Sequence, residues 1–100
     1  MIADSVVWRV APPGAVAWRE WDGEAVVYDE RTGATHRLGV AAALVWKTIA
    51  EARSGADHQL IATSLQSADL ADDETAYELA TAILEDLERL GLVVEGKDRC

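Results

Sequence analysis

Apolar and polar residues follow a two-residue period through the first forty positions and a helical period after that. Residues 5–10 ("SVVWRV") predict a short strand, stopped by Ala11-Pro12-Pro13-Gly14, where two prolines exclude regular pairing. Residues 15–21 ("AVAWREW") and 24–29 ("EAVVYD") are rich in β-branched and aromatic side chains. They are separated by Asp22-Gly23, a strong two-residue hairpin signal. A longer turn over residues 30–34, with Gly33 free to take positive φ, leads to a third strand of Thr35, His36, Arg37 and Leu38. Alternation is expected to put Val16, Trp18, Val26, Tyr28, His36 and Leu38 on one face. Arg19, Ala25, Val27, Thr35 and Arg37 are then left for the other.

After Gly39 the spacing turns helical. Over residues 40–52, Ala41, Leu44, Val45, Thr48, Ile49 and Ala52 form one apolar face, with Lys47 and Glu51 opposite and Ser54-Gly55 as the stop. Asp57 is placed to cap a second helix from His58 to about Leu65. Asp72 or Asp73 is placed to cap a third that ends at Leu90-Gly91. On that third helix Ala76, Leu79, Ala80, Ile83, Leu87 and Leu90 make a continuous core stripe. Residues 92–94 can add a last short strand. The order βββααα predicts an α+β fold, winged-helix-like: a three-stranded antiparallel meander followed by three helices. The expected organisation is one domain over residues 1–100, with an N-terminal strand or arm (1–14) and a polar C-terminal tail (95–100).

Composition narrows the function. One hundred residues, half of them hydrophobic, suffice for a single small core. Eighteen acidic against nine basic residues give a net charge of −9, which opposes nucleic acid and anionic membrane surfaces and favours a basic partner segment. The third helix would be the DNA-reading element of a helix-turn-helix, yet its polar positions are Asp73, Glu74, Glu78, Glu85, Asp86 and Glu88, with Arg89 the one cation. Cys100 is the single cysteine, so neither a disulfide framework nor a cysteine-rich zinc site is expected. With no apolar span and no basic-then-apolar leader, the expected location is the cytoplasm.

No catalytic constellation emerges. His36 and His58 lie in different elements without acidic or histidine partners at ligand spacing, so a strand-surface His36 and a solvated His58 are expected. The sequence holds no nucleophile elbow and no phosphate-binding glycine loop, and Asp72-Asp73-Glu74 fits the start of a helix. Neither a cofactor nor a metal is called for. Of the four tryptophans, Trp18 and Trp46 are expected in the core, while Trp8 and Trp21 are open between core and surface.

What remains is a binding surface. Thr35, His36, Arg37 and Leu38 form the last strand before the helices, and an unprotected edge is a template for an added strand. Tyr77, Thr81, Leu84 and Glu88 lie at helical spacing along a flank of the third helix. Edge and flank together would make a groove for an extended peptide; equally, Tyr77 and Leu84 would pack against the second helix.

These features resemble the PqqD-like proteins, the peptide chaperones or RiPP recognition elements of ribosomal peptide modification. The resemblance rests on "WDGEAVVYDERTGATHRLG", on "VAAALVWKTIAEA" directly after Leu38-Gly39, and on the ending "AILEDLERLGLV". Leu38, Ala41, Ala42, Ala43, Trp46, Leu84, Leu87, Leu90, Gly91 and Leu92 fit the family pattern, with Gly39 in place of its usual asparagine. The front segment "WRVAPPGAVAWREWDGEAVVYDE" is similar to a subgroup named for systems with an HPr-kinase-related protein. The resemblance implies a non-catalytic module that binds the leader of a ribosomally made precursor peptide by strand addition and presents it to a modifying enzyme. By position it implies Thr35, His36, Arg37 and Leu38 for strand pairing, and Tyr77, Thr81, Leu84 and Glu88 on the helix. It implies as partners the leader, with basic residues toward the acidic helix, and a modifying enzyme or HPr-kinase-related protein. Pairing of exposed strands leaves a homodimer open, and the alternative function is a structural or regulatory subunit that binds a partner enzyme without any leader.

Overall fold

In a computed structural model, which describes residues 5–10, 16–52 and 55–98, Asp22 and Gly23 turn the chain with both residues at positive φ, 53° and 79°. That geometry matches the twist of the flanking strands, β2 (Val16–Trp21) and β3 (Glu24–Asp29). It pairs Trp21 with Glu24 and, further along, Trp18 with Val27 and Val16 with Asp29. Directly paired residues share a face, so Val16 and Trp18 lie with Ala25, Val27 and Asp29. Val26 and Tyr28 fall on the outer face with Arg19. The expected alternation for the middle strand is therefore corrected by one residue, because a two-residue turn fixes the register and a slip of one inverts the strand. The third strand, β4 (Ala34–Leu38), pairs with β3 from Ala25–Leu38 to Asp29–Ala34. The sheet order is β2-β3-β4.

Residues 5–10 and 93–98 form most of a second sheet that the sequence pattern did not announce. β1 (Ser5–Val10) pairs antiparallel with β6 (Val93–Asp98), from Val10–Val93 to Ser5–Asp98, and on its other side with the two-residue β5 (Ala56–Asp57). The short strand expected at 92–94 thus runs on to Asp98, and most of the expected polar tail is paired backbone rather than a tail. The polar residues 95–98 lack strand propensity of their own, and pairing with β1 overrides it. The proline stop after β1, Ser54 and Cys100 lie outside the described residues.

Three helices complete the α+β fold: α1 (Val40–Glu51), α2 (His58–Ser67) and α3 (Ala76–Arg89). Asp57 caps α2 as expected, its side chain accepting from the Leu60 N–H at 2.8 Å. α3 starts later than its expected caps. Asp72 instead accepts from the N–H groups of Glu74 and Thr75 and from the Thr75 hydroxyl, at 3.1, 3.0 and 2.8 Å. These bonds close the turn that precedes the helix. They stabilise the charged carboxylate, the Thr75 hydroxyl most, and hold its pKa below the ordinary value.

α1 lies across the inner face of the first sheet, and its buried side is Ala43, Val45, Trp46 and Ile49. Trp46 is fully buried and meets Trp18 edge to face, with ring centroids 6.3 Å apart and planes at 86°. Trp8 is also buried, whereas Trp21 is exposed. Ile61 and Leu65 from α2, Leu84 and Leu87 from α3, and Leu92 close the core.

Candidate functional site

β3 occupies one edge of β4, and the other edge carries no strand among the described residues. Along β4 the side chains alternate. Leu38 is buried and His36 half-buried opposite Val27, while Thr35 and Arg37 point to the outer face. Arg37 Nε donates to Glu24 Oε1 at 3.3 Å. This pair is exposed and contributes little to stability.

Beyond the free edge a groove of about 310 Å³ separates β4 from α3. Its β4 side is formed by Arg37, Leu38 and the following Gly39, its end by Ala42 in the first turn of α1, and its far wall by α3. Ile83, Leu87 and Leu90 give that wall an apolar surface, and the exposed Asp86–Arg89 pair, 2.9 Å apart, sits at the rim. Gly39 takes ordinary extended angles, with φ at −70°, and a Cβ placed on it meets nothing within 4 Å. An asparagine therefore fits there, and its absence leaves the N-terminus of α1 without a side-chain cap.

One charged contact sets the distance between the hairpin and α3. Asp29, almost fully buried, accepts from Arg31 Nε at 3.1 Å, from Arg31 Nη2 at 3.0 Å and from the Arg31 backbone N–H at 2.9 Å. The same Nη2 donates to the carbonyl oxygen of Gly91, just past the end of α3, at 2.9 Å. The β3–β4 turn is thereby tied to the helix that walls the groove. Arg31 holds the Asp29 carboxyl below its ordinary pKa, outweighing the upward push of burial. A depressed folded-state pKa contributes stability above the unfolded value of about 3.9, and that contribution is lost as pH falls through the folded value. Asp29→Asn is accordingly expected to lower the urea midpoint at pH 7, with the gap to wild type narrowing below about pH 4. A gap that stays constant from pH 7 to pH 3 would show that the ionised carboxylate does not matter.

Of the sequence-predicted site residues, Arg37 and Leu38 line this groove, and Thr35 and His36 lie further along the same strand. On α3, Tyr77 stacks on His58 at the start of α2, with centroids 3.8 Å apart and planes at 6°. Thr81 Oγ1 lies 2.9 Å from His58 Nε2 and donates to the Tyr77 carbonyl oxygen at 2.9 Å. Leu84 is buried at 1% exposure, and Glu88 is exposed on the same stripe, outside the groove lining. Tyr77 and Thr81 on that stripe thus meet α2, the alternative the sequence left open for Tyr77, and His58 is half-buried against them rather than solvated. The groove wall is the neighbouring stripe, Ile83, Leu87 and Leu90, of which Ile83 and Leu87 are buried, as the sequence pattern expects of a core stripe, and Leu90 is exposed. Leu90 carried a usable signal: it closes that stripe at the last turn of α3, where a helix end meets solvent.

The family model for coenzyme PQQ synthesis protein D (PqqD) matches residues 24–93. The chain belongs to the PqqD family. The match runs from the start of β3 to the first residue of β6, so it contains the β4 edge and every groove residue named above, whereas β1 and β2 lie outside it. No match to a curated protein was found. Among solved structures, this PqqD-family chain is similar to TbiB1 in complex with the TbiA(beta) leader peptide. The TM-score is 0.70 at 19% identity, covering 85% of this chain and 93% of that one. At that identity the likeness establishes the shared fold. No group of three or more His, Cys, Asp or Glu side chains suited to a metal occurs among the described residues.

Proposed function

We propose that this chain binds the leader of a ribosomally made precursor peptide, taking it up as an added strand along β4, and presents it to a modifying enzyme. The observation that carries the proposal is the free edge of β4 facing an apolar groove against α3. Main-chain hydrogen bonds to Thr35, His36, Arg37 and Leu38 supply register, and the wall of Ile83, Leu87 and Leu90 selects apolar leader side chains. Asp86 is balanced by Arg89 at the rim. Apolar side chains are thus the selective element, rather than the basic residues suggested by the overall charge. Family membership and the TbiB1 complex with its leader peptide support the reading. The resemblance of the front segment points to an HPr-kinase-related protein as the partner.

The test is a ¹⁵N–¹H titration with the leader of the precursor encoded beside the chain's gene. Shifts are expected at β4, Ala42, Ile83, Leu87 and Leu90, with alternate β4 amides gaining protection from exchange. Saturating peptide that leaves these amides unmoved, or moves only His58, Tyr77 and Thr81, would overturn the proposal.

A further inference from the structure

The outer face of the first sheet is built unlike the rest of this acidic surface. Across its middle row, Val26 stands between Arg19 on β2 and Arg37 on β4. In the next row Tyr28 stands between Ala17 and Thr35, and Trp21 and Glu24 form the row at the turn. Trp21 is 49% exposed and Tyr28 42%, and with Arg19 and Val26 they line a shallow concavity of about 310 Å³. No helix among the described residues covers this face, since α1 packs on the other side of the sheet. In a chain of net charge −9 it shows two arginines against one glutamate. Arg19 has no ion pair among the described residues, while Arg37 shares Glu24. Trp, Tyr and Arg around an apolar centre are the residue types that dominate protein–protein binding energy, and an apolar concavity rimmed by polar groups marks an interaction site.

We propose that this face docks a folded partner protein whose surface offers apolar side chains ringed by carboxylates. Charge decides the occupant. A two-fold axis through Val26 would lay the arginine rows of two copies over each other, four guanidiniums against two glutamates, which disfavours a second copy of this chain. An acidic patch on a different protein instead meets Arg19 and Arg37 directly. Position adds to this: a leader added at β4 widens the same sheet, and its alternate side chains emerge on this face beside Arg37. A partner seated here touches both the domain and the bound leader. The partner's identity as the modifying enzyme rests on the leader-binding reading; the docking face itself does not.

The experiment measures binding of the purified modifying enzyme encoded beside the gene, and separately of the leader, to wild type and to Arg19→Glu, Arg19→Lys and Tyr28→Ala. Each variant is first confirmed as folded by its melting temperature. Arg19→Glu and Tyr28→Ala are expected to weaken enzyme binding by about tenfold or more, as substitutions at interface hot spots do. Arg19→Lys should retain most of it, and leader affinity should stay unchanged in all three. Enzyme binding indifferent to Arg19→Glu overturns the proposal, as does a wild-type chain that does not bind the enzyme. Equal loss of leader and enzyme binding would make this face part of the leader site and overturn it too. It is likewise overturned if Arg19→Glu abolishes only self-association, or only adsorption to phosphatidylglycerol vesicles. A wild-type chain that ignores the leader but loses the enzyme on Arg19→Glu would sink the leader reading alone and leave the docking face standing.

Discussion

Leu84→Glu is expected to leave the domain unfolded at neutral pH. Leu84 is 1% exposed, between α3 and the core residues around Trp46. Replacing it removes a packed side chain, at about 2–5 kcal/mol for a truncation of that size. It also buries a carboxylate without a cationic partner, at several further kcal/mol (roughly the penalty for one desolvated ion). A domain has about 5–15 kcal/mol of stability in total, and one this small lies toward the lower end, where the sum exhausts it. Loss of amide dispersion and of far-ultraviolet ellipticity would show this, while Leu84→Met, which keeps the volume, should fold at a cost under about 1.5 kcal/mol. A folded Leu84→Glu domain that has lost only its peptide would place Leu84 in the groove after all.

Ala42→Phe is the opposite kind of change. Ala42 is half-buried at the end of the groove, so a larger apolar side chain there projects into open space and adds no buried charge. The melting temperature should stay within a few degrees. Leader affinity should fall at least tenfold, about 1.4 kcal/mol, because the ring occupies space the peptide needs. Tyr77→Ala is the counterpart on the other stripe. It removes the stack on His58 and costs about 0.5–1.5 kcal/mol of stability, with leader affinity unchanged. Loss of the leader in Tyr77→Ala together with retention in Ala42→Phe would move the site to the α2 side of α3. Isothermal titration with one leader across the three proteins makes the comparison direct.

What the residues disclosed follows from the range over which each signal acts. Asp22-Gly23, the Asp57 cap and the helical run of α1 depend on neighbours within a few positions, and each was legible, although the buried side of α1 (Ala43, Val45, Trp46 and Ile49) shares only Val45 and Ile49 with the expected face. The face taken by Val26 and Tyr28 depends on counting through a turn, where an error of one residue inverts the answer. The ladder from Ser5–Asp98 to Val10–Val93 joins segments more than eighty residues apart, and nothing local in 95–98 announces it. On α3 the choice left open was one of rotation. Ile83 and Leu84 are adjacent in sequence and so about 100° apart around the helix. Both are apolar, and only the positions of α2 and β4 decide which one turns toward the groove.

The β1–β6 ladder also brings Ser5 beside Asp98, at the far ends of the described chain. A fold whose first and last strands pair can be spliced into a loop of another protein at those strands, with little disturbance to its core. A host protein could therefore carry this domain on a two-strand stalk rooted in the second sheet. Such a graft would leave the free edge of β4, which belongs to the other sheet, open to solvent.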